Sequence, residues 1–180
     1  MYRFKRAESP EEFEQIFRLN HDVFAAELGQ YSTDESARRI DKFHDKNQYA
    51  IALEGGRVVG MIAFHDQPPY SVAERLPDPA ALDALGRIAE IRLLAIDPAH
   101  RTGMVIQGLM CTMYEMVRMF DAIAISGLVS EQPLYAELGF RPLGPAMRSG
   151  KAEFVPMAVR IADLEPRAGR WMRRFGQRGP

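Results

Sequence analysis

The chain has 180 residues, of which 47% are hydrophobic and 26% are charged, and its formal net charge is −1. This composition is that of one soluble domain with a substantial core, and a charge near zero argues against a nucleic-acid-binding protein that relies on a basic field. No stretch approaches the roughly 18 apolar residues of a membrane span and no signal peptide is visible, so the expected location is the cytoplasm. The single cysteine, Cys111, cannot form an internal disulfide, and no metal-ligand spacing is present, so no metal site is expected.

The first part of the chain predicts a strand followed by two helices. Residues 2–6 alternate weakly and indicate a strand. Ser9-Pro10-Glu11-Glu12 supplies an N-cap, a proline in the first turn and a glutamate three residues after the cap, which is a helix-starting pattern. Apolar residues follow at helical spacing until Gly29, and a short second helix is predicted around residues 35–40.

The remainder alternates between strands and helices. Residues 48–53 and 57–64 are joined by Glu-Gly-Gly and predict a β-hairpin, and residues 66–87, with four prolines, have the length of a lid or binding loop. Strands are predicted over residues 88–96, 122–129 and 152–161 and after Phe140, and helices over residues 103–120 and 131–138. The prediction is an α+β fold with helices on both faces of one mixed sheet of six to seven strands.

Glu90 lies near the start of the most strand-like segment, where residues 89–96 read Ala-Glu-Ile-Arg-Leu-Leu-Ala-Ile. Alternation predicts a common face for four residues: Glu90, Arg92, Leu94 and Ile96. A carboxylate here is expected to be partly desolvated, which raises its pKa toward a value useful for deprotonating an ammonium group. The alternative is that Glu90 pairs with Arg92 or across the sheet. The segment resembles the central strand of GNAT acyltransferases, which implies that Glu90 is the general base or holds a water that is.

A helix N-terminus follows this strand. Residues 97–106 read Asp-Pro-Ala-His-Arg-Thr-Gly-Met-Val-Ile, and backbone N–H groups at such a terminus can bind phosphates. The segment resembles the R-x-x-G-x-G/A pyrophosphate-binding loop of GNAT enzymes. It departs from that pattern because Met104 and Ile106 stand at the glycine positions counted from Arg101, and counting from Gly103 instead puts Val105 at the second one. The resemblance implies that the donor is bound by Leu94, Ala95, Ile96, Arg101, Thr102, Gly103, Met104, Val105 and Ile106.

Tyr135 lies in Pro-Leu-Tyr-Ala-Glu-Leu-Gly-Phe, residues 133–140. A phenol with a pKa of about 10 is suited to protonating a thiolate of comparable basicity. The alternative is a tyrosine that only packs its ring at a helix–strand corner. The segment is similar to the Y-x-x-L-G-F that ends the last motif of many GNAT enzymes, which implies that Tyr135 protonates the departing thiolate.

Together the three motifs imply a GNAT N-acyltransferase over residues 1–164, with acetyl-CoA as the first expectation for the donor and a primary amine of a small molecule or peptide as the acceptor. The first half of the chain also resembles the autoinducer and long-chain N-acyl amino acid synthases, which implies longer acyl-CoA or acyl-carrier-protein donors. Dimerisation is expected by analogy with the family. A second alternative is a non-catalytic ligand-binding module with the same fold. An RNA-binding protein is disfavoured, because the chain outside its last residues is acidic.

Five arginines crowd a basic tail, residues 165–180: Arg167, Arg170, Arg173, Arg174 and Arg178. The tail can be a solvated end, or an amphipathic anchor for an anionic membrane or an acidic carrier protein. Three histidines, His21, His44 and His65, are expected to be ordinary surface residues rather than part of an acceptor site.

Overall fold

The computed structural model describes residues 1–29, 32, 35–150, 152–166 and 169, with only the backbone of Ser149. The described residues divide into two compact units, one within residues 1–64 and 93–115 and the other within residues 65–92 and 116–169. Residues 161–166 are helical. Most of the basic tail, residues 165–180, lies outside the described residues. Within the described part, no helix is both long and apolar enough to cross a membrane.

The first unit is built on an antiparallel run of strands. Its elements are β1 (Tyr2–Arg6), α1 (Pro10–Asn20), a π-helical segment (His21–Glu27), β2 (Gln48–Glu54), β3 (Arg57–His65) and most of α2 (Gly103–Val117). β2 pairs with β1 and with β3, and the backbone N–H of Asp97, just after β4 (Ile88–Ile96), donates to Val59 of β3 at 2.9 Å. The predicted hairpin is confirmed, since Gly55 and Gly56 both have positive φ, as a tight turn between twisted strands requires.

Helix α1 starts as the sequence predicts. The Ser9 side chain accepts from the Glu12 N–H at 3.3 Å, and the Glu12 carboxylate accepts from the Ser9 N–H at 3.2 Å, which completes a capping box. The helical run continues to Glu27, but its last seven residues are π-helical. Gly29 follows with a φ of 59°.

The core of the first unit lies on two sides of its strands. Ile16 and Phe17 of α1 belong to one cluster with alternate residues of β2 and β3, which include Tyr49, Ile51 and Met61. On the other side α2 comes so close that a Cβ at Gly60 of β3 would lie 3.1 Å from Leu109, and one at Gly108 would lie 2.2 Å from the Phe4 ring. Helices therefore cover both faces of this part of the sheet.

The prediction of a short helix around residues 35–40 is wrong. Residues 35–36 form a turn, residues 37–40 are irregular, and Ala37 has a φ of 49°. The Ser36 hydroxyl accepts from the Arg38 N–H at 3.3 Å, and the Arg39 N–H donates to Phe17 of α1 at 2.9 Å. These side-chain and long-range bonds replace the helical ladder.

The second unit contains the long insertion and the remaining strands. Residues 66–87 hold 3₁₀ turns at Ala73–Arg75 and Pro79–Leu85, and β4 runs parallel to β5 (Ala122–Leu128). After α3 (Gln132–Glu137), β6 (Arg141–Pro142) and β7 (Met147–Ser149) both pair antiparallel with β8 (Ala152–Arg160), which also pairs with β5. The α+β prediction with a mixed sheet is confirmed. The region after Phe140 provides two short strands where the sequence predicted one, so the described strands number eight.

The close approach of α2 to β1 predicts that Gly108→Ala destabilises the protein by about 1–3 kcal/mol, because the new methyl group must displace the Phe4 ring. Chemical unfolding measures the change. Gly103→Ala is the control, since a Cβ at Gly103 meets nothing within 4 Å. Equal stabilities for the two variants would show that the Phe4 ring moves away at no cost.

Candidate active site

Strand β4 changes direction within the segment that carries the predicted donor and base residues. Its parallel pairing with β5 covers three residue pairs, from Ile88 with Ala122 to Glu90 with Ala124. Leu93 then has a φ of 57°, a left-handed conformation that costs about 1–2 kcal/mol in a residue with a Cβ. The common face predicted for Glu90 to Ile96 is consequently not uniform, because Glu90 and Ile96 are buried and Leu94 is 41% exposed.

The Glu90 carboxylate is buried and surrounded by donors. Its side chain is 1% exposed, and Oε2 lies 2.9 Å from Nε2 of the buried His65. Oε1 accepts from the Ser71 hydroxyl and from the Val72 N–H, both at 2.7 Å, while the Ser71 N–H donates to Oε2 at 2.9 Å. Every one of these partners belongs to the second unit.

These donors reverse the pKa direction that the sequence predicted. Burial alone would raise the pKa of Glu90, but hydrogen bonds from His65, Ser71 and Val72 outweigh it and hold that pKa below its ordinary value. The prediction of a raised pKa is therefore wrong, because the sequence does not show donors that lie 18 and 19 residues away. A carboxylate with this coordination is suited to fixing its neighbours rather than to taking a proton from a substrate.

The insertion is anchored to Glu90 through residues that the sequence did not single out. Ser71 and Val72 bind the carboxylate, and the ring of the adjacent Tyr70 stacks on the His65 ring, with centroids 5.5 Å apart and planes 5° apart. The Tyr70 hydroxyl donates to the Asp66 carbonyl at 2.9 Å. The expectation that His65 is a surface residue is wrong, as it is for His21, because both are buried.

Tyr135 lies on α3, over the end of β5. Its ring fills the space above Gly127, where a Cβ would lie 2.7 Å from Cε2, and it meets the Phe140 ring edge to face. Burial raises the pKa of Tyr135, against a backbone hydrogen bond with Leu128, so the phenol is protonated at neutral pH. The ring packs at a helix–strand corner, which agrees with both the proton-donor interpretation and the packing interpretation.

Glu90 and Tyr135 do not share contacts. Glu90 is opposite Ala124 in the β4–β5 register, whereas Tyr135 packs over Gly127, three residues further along β5. Three residues of strand correspond to about 10 Å. Glu90 and Tyr135 therefore stand beside two positions of β5 that are three residues apart.

The segment between β4 and α2 is held by side-chain caps in the first unit. Asp97 accepts from the Ala99 N–H at 2.9 Å and from Arg57 at 2.9 Å. Thr102 precedes α2, and its carbonyl accepts from the Ile106 N–H at 3.2 Å. The N–H groups of Gly103 and Met104 belong to the first helical turn, which has no intrahelical acceptors, so they are available to an anion.

Arg101 has a protein partner at the position where the resemblance places a phosphate. Its Nη1 donates to Oε1 of Glu27 at 2.6 Å, its Nη2 binds the second Glu27 oxygen, and its Nε donates to the Ile96 carbonyl at 3.2 Å. The Arg101 guanidinium lowers the pKa of Glu27. The sequence did not predict this pair, since 74 residues separate its members.

The other residues predicted to bind the acyl donor differ in their exposure to solvent. Ala95, Ile96 and Val105 are buried and serve the core of the first unit. Leu94, Met104 and Ile106 are 41%, 50% and 39% exposed, so they present apolar surface around the start of α2. Arg101, Thr102 and Gly103 are exposed as well.

Comparison with known families shows to which family the chain belongs. The model of the family described as N-acyl amino acid synthase FeeM matches residues 15–160. The chain belongs to this family. It is therefore an N-acyltransferase that uses an acyl donor, either acyl-CoA or an acyl-carrier protein, and the predicted enzyme class is confirmed.

Solved structures agree on the fold of this family member. The CoA-dependent acyl-homoserine lactone synthase BjaI has a TM-score of 0.77 and 22% identity, over 95% of this chain and 90% of that one. The synthase MesI has a TM-score of 0.75 and 18% identity, over 97% and 95% of the two chains. FeeM from uncultured soil microbes has a TM-score of 0.71 and 17% identity, over 92% and 93%. The predicted GNAT fold of the autoinducer synthase branch is confirmed. No curated protein matches the sequence.

The Glu90 network predicts that Glu90→Gln lowers the free energy of unfolding at pH 7 by about 2–4 kcal/mol, because the amide cannot accept from all of the donors. The lowered pKa of Glu90 means that the wild-type stabilisation is present above the ordinary pKa of 4.5 and is lost as the pH falls through the folded value. Urea unfolding between pH 7 and pH 3 checks both effects.

The control for this prediction is Glu153→Gln, which replaces an exposed carboxylate on β8. It is expected to change stability by less than about 0.5 kcal/mol. If Glu90→Gln were as stable as this control and kept the acid dependence of the wild type, the anchoring role of Glu90 would be refuted.

Proposed function

We propose that residues 1–164 form an N-acyl amino acid synthase-type acyltransferase that transfers an acyl group longer than acetyl from a pantetheine thioester to the primary amine of an amino acid. The observation that carries the proposal is the start of α2, where the N–H groups of the first helical turn stand beside exposed apolar side chains. The N–H groups suit a phosphate, and Leu94, Met104 and Ile106 suit the pantetheine arm that runs from that phosphate to the thioester. Family membership favours this reading over the acetyl-CoA expectation.

Tyr135 is the proposed proton donor. The bound ammonium group first loses a proton to solvent. The amine nitrogen then attacks the thioester carbonyl carbon, the C–S bond breaks, and the thiolate takes the Tyr135 proton while the nitrogen releases its second proton to solvent. The raised pKa of Tyr135 means that the phenol carries its proton at neutral pH when the thiolate forms. Solvent then returns a proton to the phenolate, so the products are an amide and a thiol.

Glu90 is proposed as a positioning residue. Through His65 and Ser71 it fixes Tyr70, which lines a groove of about 580 Å³ in the second unit. The charged residues of the groove are Asp66, Asp83 and Arg87, and Arg87 is paired with Asp121 at 3.8 Å, which leaves the two carboxylates. Their charge suits an ammonium group, so we assign the amine acceptor to this groove.

The proposed substrates predict a product that mass spectrometry detects. Purified protein is incubated with an amino-acid mixture and with acetyl, octanoyl and palmitoyl thioesters of coenzyme A and of a carrier protein. N-acyl amino acids carrying the longer chains are expected, together with release of one thiol per amide. A product set restricted to acetylated amines would contradict the proposed chain length, and no amide from any donor would contradict the proposed function.

The role of Tyr135 predicts that Tyr135→Phe lowers kcat by about 10²-fold, while KM for the donor changes by less than about threefold. The ring still packs on Gly127, so thermal unfolding should be unaltered. Steady-state kinetics with the best donor measure kcat and KM separately. Tyr2→Phe, which removes a phenol hydroxyl from β1, should keep wild-type kcat. Equal activity of the two variants would exclude Tyr135 as the proton donor.

A further inference from the structure

The ion pair between Glu27 and Arg101 engages both terminal nitrogens of Arg101, the single arginine in the sequence of residues 97–106. Both terminal nitrogens of Arg101 bind Glu27, and Nε binds the Ile96 carbonyl. Bidentate arginine–carboxylate pairs are among the stronger polar contacts, because charge and geometry act together. An incoming anion therefore competes with the Glu27 carboxylate for the charge of Arg101.

The other basic side chains near this segment are also occupied. His100 Nε2 lies 3.0 Å from the Glu54 carboxylate, and its Nδ1 lies 3.4 Å from Asp97. Arg57 is bound to Asp97 at 2.9 Å. The helix N-terminus offers its own partial charge of about one half. The Arg57, His100 and Arg101 side chains each lie against a carboxylate.

Donors differ in the charge that they bring to this position. Coenzyme A carries a diphosphate and a 3′-phosphate, whereas the pantetheine arm of a carrier protein is attached through one phosphodiester with a single negative charge. A site whose cations are neutralised suits the phosphodiester. Resting on the proposed function, we propose that Glu27 is a specificity-determining residue that withholds Arg101 from a diphosphate and so favours a carrier-protein thioester over the corresponding acyl-CoA.

Calorimetric titration with CoA and with dephospho-CoA, which keeps the diphosphate and lacks the 3′-phosphate, tests the withholding of Arg101. Glu27→Gln removes the competing charge, so Kd for both nucleotides is expected to fall about tenfold. Arg101→Ala should change the wild-type Kd by less than about twofold, and combining it with Glu27→Gln should abolish the gain. With one acyl chain on both donors, Glu27→Gln should lower KM for acyl-CoA and leave KM for the acyl-carrier protein unchanged.

Glu14→Gln is the matched control. Glu14 is also 35% exposed and also pairs with arginine, through Arg18 at 3.2 Å and Arg38 at 2.8 Å, but it lies within α1. Its removal is expected to leave both Kd values as in the wild type. Thermal unfolding of each variant shows whether the fold is retained.

Three results would overturn the proposal. They are a Kd for CoA that does not fall in Glu27→Gln, a gain for CoA that dephospho-CoA does not share, and a tenfold loss of CoA binding in Arg101→Ala alone, which would show that Arg101 already serves the phosphate. Absence of acyl transfer from every donor would instead remove the proposed function, and the nucleotide titrations would still decide the role of Glu27.

Discussion

The buried carboxylate of Glu90 constrains the second unit more than any other described group. A charge taken out of water costs several kcal/mol unless hydrogen bonds replace the lost solvent. Glu90 obtains those bonds from His65 at one end of the insertion and from Ser71 and Val72 within it. The path of the chain between residues 65 and 72 is consequently fixed by the requirement to solvate one carboxylate.

This constraint extends to the groove that we assign to the acceptor. Tyr70 lies between Asp66 and Ser71, stacks on His65 and forms part of the groove wall. A rigid aromatic wall is useful to a binding site because its side chain loses little entropy when a ligand arrives. We therefore propose that Glu90, which the sequence suggested as a base, acts by fixing the shape of this groove.

Local signals in the sequence were sufficient for most of the framework. The capping box at Ser9, the glycine pair at residues 55–56 and the strand over Ile88–Ile96 depend on neighbours within a few positions, and the structure has all three. The failures have a common cause, because each depends on contacts distant in sequence. Residues 35–40 are not helical, and the Arg39 N–H donates to the Phe17 carbonyl instead. Arg101 pairs with the carboxylate of Glu27, 74 positions away. His65 could have been found by noting that β3 ends where the chain must return to β4, which puts a polar residue close to the start of the next strand.

Two departures from the GNAT donor loop lead to the same physical result. Replacing loop glycines by Met104 and Ile106 adds side chains where a phosphate would approach the backbone, and Glu27 neutralises the arginine that would bind it. Each change weakens the electrostatic part of donor binding, and Met104 and Ile106 add exposed apolar surface. Burying about 100 Å² of such surface contributes about 2.5 kcal/mol, which is comparable to one strong phosphate contact. Phosphate contacts are screened by salt, whereas apolar contacts are much less sensitive to ionic strength. We therefore expect the proposed donor site to depend more on the pantetheine arm than on the charge of the nucleotide.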